Sequence, residues 1–204
     1  MPKLRGLDEW VKFKQKILRG IWEDRLIGYL DPGAEEFLVL LNKPTLLATT
    51  SSCTGRITII EGKWHWLRDE ARIVFKSHSP IESRDIVSVV KLLGSSDLWI
   101  KVTGPIIHFR TPRLLCAMRL LSHARSSGFK HSGIISINRR LGHVVEVMSG
   151  VQLMIPLASR GSPLISIDEL EKLIVTINEA LVEGRRRLEE LSLRISSEPG
   201  PCEL

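Results

Sequence analysis

The chain has 204 residues, with 29 Lys plus Arg against 23 Asp plus Glu and a net charge of +6. The length suits one domain with a small appendage, and 43% hydrophobic residues exclude a disordered basic chain. No apolar run reaches the ~18–20 residues that span a bilayer, and no signal-peptide core opens the chain, so a soluble cytoplasmic protein without a membrane partner is expected.

Asp8 to Tyr29 reads as an amphipathic helix, with Trp10, Phe13, Ile17 and Ile21 on one face. Asp31-Pro32-Gly33 breaks it, and a short helix follows from about Glu35 to Leu41. Leu46–Thr50, Gly55–Gly62 and Ala71–His78 read as strands, with Trp64 and Trp66 closing a hairpin. Ser79-Pro80-Ile81-Glu82 has the form of a capping box, predicting a helix to Leu93 with Gly94 after its end. Strands follow at Leu98–Thr103 and Ile106–Arg110. Thr111-Pro112 opens a helix to Ser127 that stops at Gly128. Gly133–Asn138 and His143–Met148 form a hairpin through residues 139–142, and Val151–Leu157 adds a strand. A second capping box, Ser166 to Glu169, opens a long helix to Ile195, with Arg185/Glu189 and Arg186/Glu190 as i,i+4 pairs. The expected architecture is a single α+β domain over residues 1–195, with a mixed, largely antiparallel sheet and packed helices, followed by a disordered tail at 196–204. Neither GxGxxG nor a Walker sequence occurs, which disfavours a doubly wound dinucleotide fold.

The strands ending at His78 and Arg110 each lead into a helix that ends at glycine, a faint internal echo. If both shared one sheet in parallel, two helix N-termini and two histidines would meet at one edge. Positive charge is unevenly placed: no acidic residue lies between Asp97 and Glu146, a stretch holding Lys101, Arg110, Arg113, Arg119, Arg125, Lys130, Arg139 and Arg140. Folded contiguously, it makes either a phosphate-binding patch or a solvated basic face.

Thr49-Thr50-Ser51-Ser52-Cys53-Thr54-Gly55-Arg56 is the most unusual segment, five hydroxyls, a thiol, a glycine and an arginine between two apolar strands. It is either an anion or ribose pocket or a plain polar connection. His78 and His108 sit at or near strand ends, where functional and structural histidines both occur. His65, Trp64 and Trp66 are hairpin packing or aromatic platforms for a base. Gly128-Phe129-Lys130-His131-Ser132-Gly133 is a ligand loop or a helix cap and turn. Cys53, Cys116 and Cys202 form no zinc pattern, and neither a bound metal nor a disulfide framework is expected.

Taken together, Thr49–Ile57 (TTSSCTGRI), Gly28–Gly33, Trp66 with Ser77-His78, Pro105–Phe109 with Arg110 or Arg113, and Ala124 with Gly128–Ile134 resemble the wybutosine-pathway tRNA methyltransferases. Thr103 and Gly104 stand where members of that family often carry a Glu, and Ser149–Leu157 is a loose counterpart of a His-bearing strand. The resemblance implies S-adenosylmethionine-dependent N4-methylation of a 4-demethylwyosine-type tricyclic guanosine, 3′ of the anticodon in phenylalanine tRNA, by an enzyme outside the usual methyltransferase fold. On that reading Ser52, Arg56, His78 and His108 carry the chemistry. Ser51, Ser52, Cys53, Thr54, Gly55, Gly128, Phe129, Ser132 and Gly133 hold the cofactor, and the acid-free stretch holds the RNA. The alternatives are a non-catalytic RNA-binding module, or an enzyme that depends on Cys53.

Overall fold

The computed structural model describes residues 5–67, 69–93, 96–138 and 142–204. The expected cap at Gly94 and the basic pair Arg139 and Arg140 lie outside the described residues. The chain divides into two compact units: residues 1–54, 105–150 and 186–204, and residues 55–104 and 151–185. Each has its own sheet and core.

The first unit holds α1 (Arg5–Leu26), α2 (Ala34–Leu41), β1 (Ala48–Cys53), β5 (Ile106–Thr111), α4 (Leu114–Ser126), β6 (Gly133–Asn138) and β7 (Gly142–Met148). Its sheet has the order β1-β5-β7-β6. The second unit holds β2 (Arg56–Glu61), β3 (Arg72–Ser77), α3 (Ser83–Leu92), β4 (Leu98–Thr103), β8 (Gln152–Ser159) and β9 (Ser162–Pro163), in the order β3-β2-β4-β8-β9. The long helix α5 (Ile167–Ser197) gives its first part to the second unit and its last part to the first.

Every strand pair described is antiparallel, so the α+β class stands while the mixed sheet is replaced by two antiparallel ones. The internal echo takes a different form from a shared parallel edge. β3 and β4 both pair antiparallel with β2 and are joined by α3; β5 and β6 both pair antiparallel with β7 and are joined by α4. Each unit is thus built on a strand–helix–strand crossover split by an intervening strand. The two histidine-bearing strands belong to different sheets.

In the first unit, alternation sends Ile107, Phe109, Val145 and Val147 to one face, where they meet Cys116, Ala117, Leu120 and Ala124 of α4 and Leu188, Leu191 and Ile195 of α5. Trp10 of α1 packs with Leu46 and Ala48, and its indole N–H donates to the Thr45 carbonyl (3.0 Å). The buried Asn42 ties the end of α2 to β1, donating to Leu38 O and Thr49 Oγ1 (2.8 Å each) and accepting from Thr49 N (2.9 Å). Lys14 Nζ donates to the carbonyls of Asn42 (2.8 Å) and Pro44. Burial lowers its pKa from 10.5 to about 8, against a smaller upward pull from Glu203. Below about pH 8 the folded state carries the full cost of that buried charge. Wild-type stability is therefore expected to rise as pH climbs from about 8 towards 10.5, because the unfolded chain holds the proton more tightly. Lys14→Gln abolishes that rise, which chemical denaturation of both proteins across the window measures.

The second unit's core joins Ile57, Ile59, Ile100 and Val102 of the sheet to Ile86 of α3 and Leu170, Ile174, Ile177 and Leu181 of α5. The first expected capping box lies elsewhere. α3 starts at Ser83 with Glu82 as its N-cap, whose N–H is accepted by Asp85 Oδ2 (2.8 Å). Asn178 of α5 holds both backbone groups of Ile81 (2.9 Å each), so the chain at Ile81 bonds to a side chain and not to a helical turn. The second box forms as expected, with Ser166 N and Oγ donating to Glu169 Oε2 (2.9 and 2.7 Å).

The C-terminal segment is ordered, against expectation. Gly200–Cys202 is a 3-10 turn, Cys202 forms a disulfide with Cys116 of α4, and Cys202 O accepts from Leu46 N (2.8 Å). A Pro- and Gly-rich composition reads as loose chain. The cross-link and the strand-like contact hold it in place.

Candidate active site

The hydroxyl-rich segment is mostly strand, not connection. Thr49–Cys53 belong to β1, an edge strand, and only Thr54 and Gly55 separate it from β2. A register shift between Thr49 and Ser51 marks a bulge. Beyond it Ser51 pairs with His108, which in turn pairs with Glu146, which pairs with Gly133. Four strands thus place four residues in one row, on the face opposite Ile107, Phe109, Val145 and Val147.

The row is hydrogen bonded. His108 Nε2 lies 2.9 Å from Glu146 Oε2, and His108 Nδ1 lies 2.9 Å from Ser51 Oγ. The carboxylate accepts, so it selects the tautomer with hydrogen on Nε2. Nδ1 is then the basic nitrogen and accepts from the Ser51 hydroxyl. His108 and Glu146 are each about one-third exposed, leaving the chain of groups open to a ligand. Such a serine–histidine–carboxylate arrangement is how folds hold a general base in one orientation. Gly133 has open space where a side chain would stand, which keeps the surface beside Glu146 clear.

The other expected residues fall into three groups. Ser52 pairs with Ile107, so its side chain leaves the strand on the side away from His108; Ser51 is the serine at the histidine. Thr50 Oγ1 donates to His108 O (3.3 Å), and Cys53 pairs with Ile106. Thr54 is buried, and its N–H and hydroxyl donate to Asp31 Oδ2 (2.9 and 3.4 Å). In the Gly128–Gly133 loop, Phe129 is core and Ser132 is buried, accepting from Met148 N (3.2 Å) and donating to Phe129 O (2.8 Å). That loop offers backbone and Gly133, not the side chains of Phe129 and Ser132.

His78, Gly55 and Arg56 belong to the second unit. His78 Nδ1–H donates to Gly55 O (3.0 Å), and Arg185 donates to the His78 carbonyl, in place of the expected pair with Glu189. Arg56 opens β2 and accepts at its carbonyl from Thr103 Oγ1 (3.4 Å). Gly55 has φ +100°, and a Cβ there would stand 3.0 Å from Thr103 O and 3.4 Å from Leu181 Cδ1. Gly55→Ala is expected to destabilise the second unit by about 1–3 kcal/mol, read as a lowered unfolding midpoint.

The basic stretch does not form one patch by contiguity. Lys101 lies in the second unit, the other described cations in the first. Arg110 stands over the Phe13 ring (5.2 Å), Arg113 Nη1 donates to Glu203 O (3.1 Å), and Arg119 pairs with Glu198 (3.2 Å). Arg125 and Lys130 are exposed.

Glu146 was missed by sequence reasoning, although a signal was present. It is the lone carboxylate within Val144-Val145-Glu146-Val147-Met148, and alternation puts it across from Val145 and Val147.

Two antiparallel sheets on split crossovers, with a carboxylate-oriented histidine and no glycine fingerprint, define an α+β protein outside the doubly wound nucleotide-binding folds. The family model described as Methyltransferase TYW3 matches residues 12–197, and the chain belongs to that family. It is 47% identical over 173 residues to a protein of Aeropyrum pernix, covering 85% of this chain and 92% of that one. A second relative, from Saccharolobus solfataricus, is 34% identical, covering 92% and 90%. Both are named tRNA(Phe) 7-((3-amino-3-carboxypropyl)-4-demethylwyosine(37)-N(4))-methyltransferase. Among solved structures, a protein of Pyrococcus horikoshii matches with TM-score 0.82 at 27% identity, covering 90% of this chain and 94% of that one. A crystal structure of a hypothetical protein from Aeropyrum pernix matches with TM-score 0.74 at 45% identity, covering 81% and 97%. Among the described residues no helix is long and apolar enough to cross a membrane.

Proposed function

We propose that the protein transfers a methyl group from S-adenosylmethionine to N4 of the 4-demethylwyosine-type guanosine 3′ of the anticodon in phenylalanine tRNA. The Ser51–His108–Glu146 chain supports this most directly, because methylating a ring N–H requires a place for its proton. Family membership and the names of the relatives support the substrate.

S-adenosylmethionine supplies an electrophilic methyl on a sulfonium, which leaves as a neutral thioether. The donor set on the first unit's sheet fits its polar parts: exposed hydroxyls at Thr50 and Ser51 suit a carboxylate, and Glu146 suits ribose hydroxyls. His108 Nδ1 takes the proton released from the ring nitrogen, directly or through the Ser51 hydroxyl. Glu146 holds the imidazole in the accepting tautomer and stabilises the imidazolium that forms. Gly133 and the Gly128–Gly133 backbone border the row and leave room for a planar ligand. The exposed Arg125 and Lys130 of the same unit offer positive charge to substrate phosphates.

The test uses tRNA lacking the modification, isotope-labelled S-adenosylmethionine, and mass spectrometry of the released nucleoside. A gain of one labelled methyl on the tricyclic base is expected. Binding of this tRNA with no methyl gain overturns the reading in favour of a non-catalytic RNA-binding module.

A further inference from the structure

The sheet of the second unit has two unlike faces. Ile57, Ile59, Ile100 and Val102 cover the core side. Their alternate neighbours form three rows on the other side: Ile73–Ile60–Trp99–Pro156, Lys76–Thr58–Lys101–Met154, and Arg56–Thr103–Gln152. These rows contain three cations and no carboxylate.

An aromatic cluster stands at the Trp99 end of this face. The segment between β2 and β3 brings Trp64 and Trp66 into a stack, with centroids 4.8 Å apart and planes 19° from parallel. Trp64 leans on Trp99 (6.2 Å), His65 meets Trp66 edge-on (4.6 Å), and Trp99 Nε1 donates to Gly62 O (3.1 Å). Burial, and then the charge of Lys101, lower the pKa of His65, so its ring adds a neutral surface. Nonetheless Trp66 is 57% exposed and Trp64 40%. Two stacked indoles half in water leave a large apolar area unburied, which folding alone does not reward. Of the nearby carboxylates, Glu61 is held by Arg72 and Ser96 and Asp97 accepts from the Arg160 N–H, while Asp69 and Glu70 are exposed on the segment after Trp66.

We propose that this face binds an unpaired stretch of RNA, with a nucleobase stacked on Trp66 and neighbouring phosphates held by Lys101 and Lys76. Exposed π-faces beside cations on an antiparallel sheet, here without an ion pair among the described residues, are the combination that recognises single-stranded nucleic acid. A double helix fits poorly, because its bases are already stacked on one another. The inference rests on the tRNA-directed reading above and adds the surface that takes the unpaired nucleotides.

The probe is a fluorescein-labelled anticodon stem-loop of phenylalanine tRNA, with a blunt duplex of equal length as control. Binding is followed by anisotropy and by tryptophan quenching. Wild type is expected to bind the stem-loop with quenching and the duplex more weakly without it. Trp66→Ala is expected to weaken stem-loop binding about 5- to 100-fold. Trp66→Phe retains a ring and most of the affinity, which separates stacking from misfolding. Lys76→Gln and Lys101→Gln are each expected to reduce the slope of log affinity against log salt by about 0.7. Unchanged affinity in a folded Trp66→Ala protein, or equal binding and quenching by the duplex, overturns the proposal. Trp66-dependent binding without any methyl transfer would leave this surface standing and remove the enzymatic reading; methyl transfer with unchanged Trp66→Ala affinity would do the reverse.

Discussion

His108→Ala is expected to lower kcat for methyl transfer about 100- to 10,000-fold, with KM for tRNA little changed. The expectation follows from where the residue sits. Its Nδ1 is the basic nitrogen of a three-residue chain, and the groups on either side fix that tautomer. Glu146→Gln keeps the size of the side chain but removes the charge, and can bond either imidazole tautomer. Its loss of kcat is expected to be smaller than that of His108→Ala. Glu146 acts through His108, so adding Glu146→Gln to His108→Ala should cost little more, whereas independent roles would multiply. Ser51→Ala separates two routes for the proton. A large loss places the hydroxyl in the relay; a small one leaves Nδ1 in direct contact with substrate. Full activity in His108→Ala would remove the histidine from the chemistry. Single-turnover kinetics with saturating tRNA reads all four variants on one scale.

Reduction of the Cys116–Cys202 bond is expected to cost about 4–5 kcal/mol of unfolding free energy, because the bond closes a loop with a sequence separation of 86 residues. For a chain of 204 residues that corresponds to a fall in unfolding midpoint of about 10–15 °C. Thermal scans with and without a reductant measure it, and Cys202→Ser should reproduce the reduced value and no longer respond to reductant. Cys53→Ser is the control, since Cys53 is outside the bond. Alkylation mass shifts equal in oxidised and reduced protein would show that the bond does not form. The segment that carries Cys202 also holds two cations of α4: Glu203 O accepts from Arg113, and Glu198 pairs with Arg119. Breaking the bond therefore frees positive charge as well as chain.

The largest differences between the expected elements and the fold come from contacts distant in sequence. α3 begins at Ser83 because Asn178, 97 residues away in sequence, takes both backbone groups of Ile81. A local motif such as Ser79-Pro80-Ile81-Glu82 carries no information about that partner. The disulfide was not expected because Cys116 and Cys202 have no telling spacing, and their Cα atoms come to 4.8 Å only once the tail folds back to α4. The hydroxyl-rich segment looked like a connection because polar residues are poor core material. It is an edge strand, where one side of the backbone is unpaired and polar side chains are tolerated.

The sequence by itself determined the main helices and strands, though not β9 or the turn at Gly200–Cys202, since periodicity and capping residues act within a few positions of themselves. The helices at Trp10, Ala34, Cys116 and Leu188 and the strands around Ile59, Ile100, Phe109 and Val145 all stand near their expected places. It also carried the family resemblance. Only the tertiary structure decided that the strands divide into two sheets, that Ser51 and not Ser52 meets the histidine, and that Glu146 completes the row. Those outcomes depend on register. A strand's alternation says which residues share a face, but the pairing partner, set by the packing of the whole unit, says which residues touch.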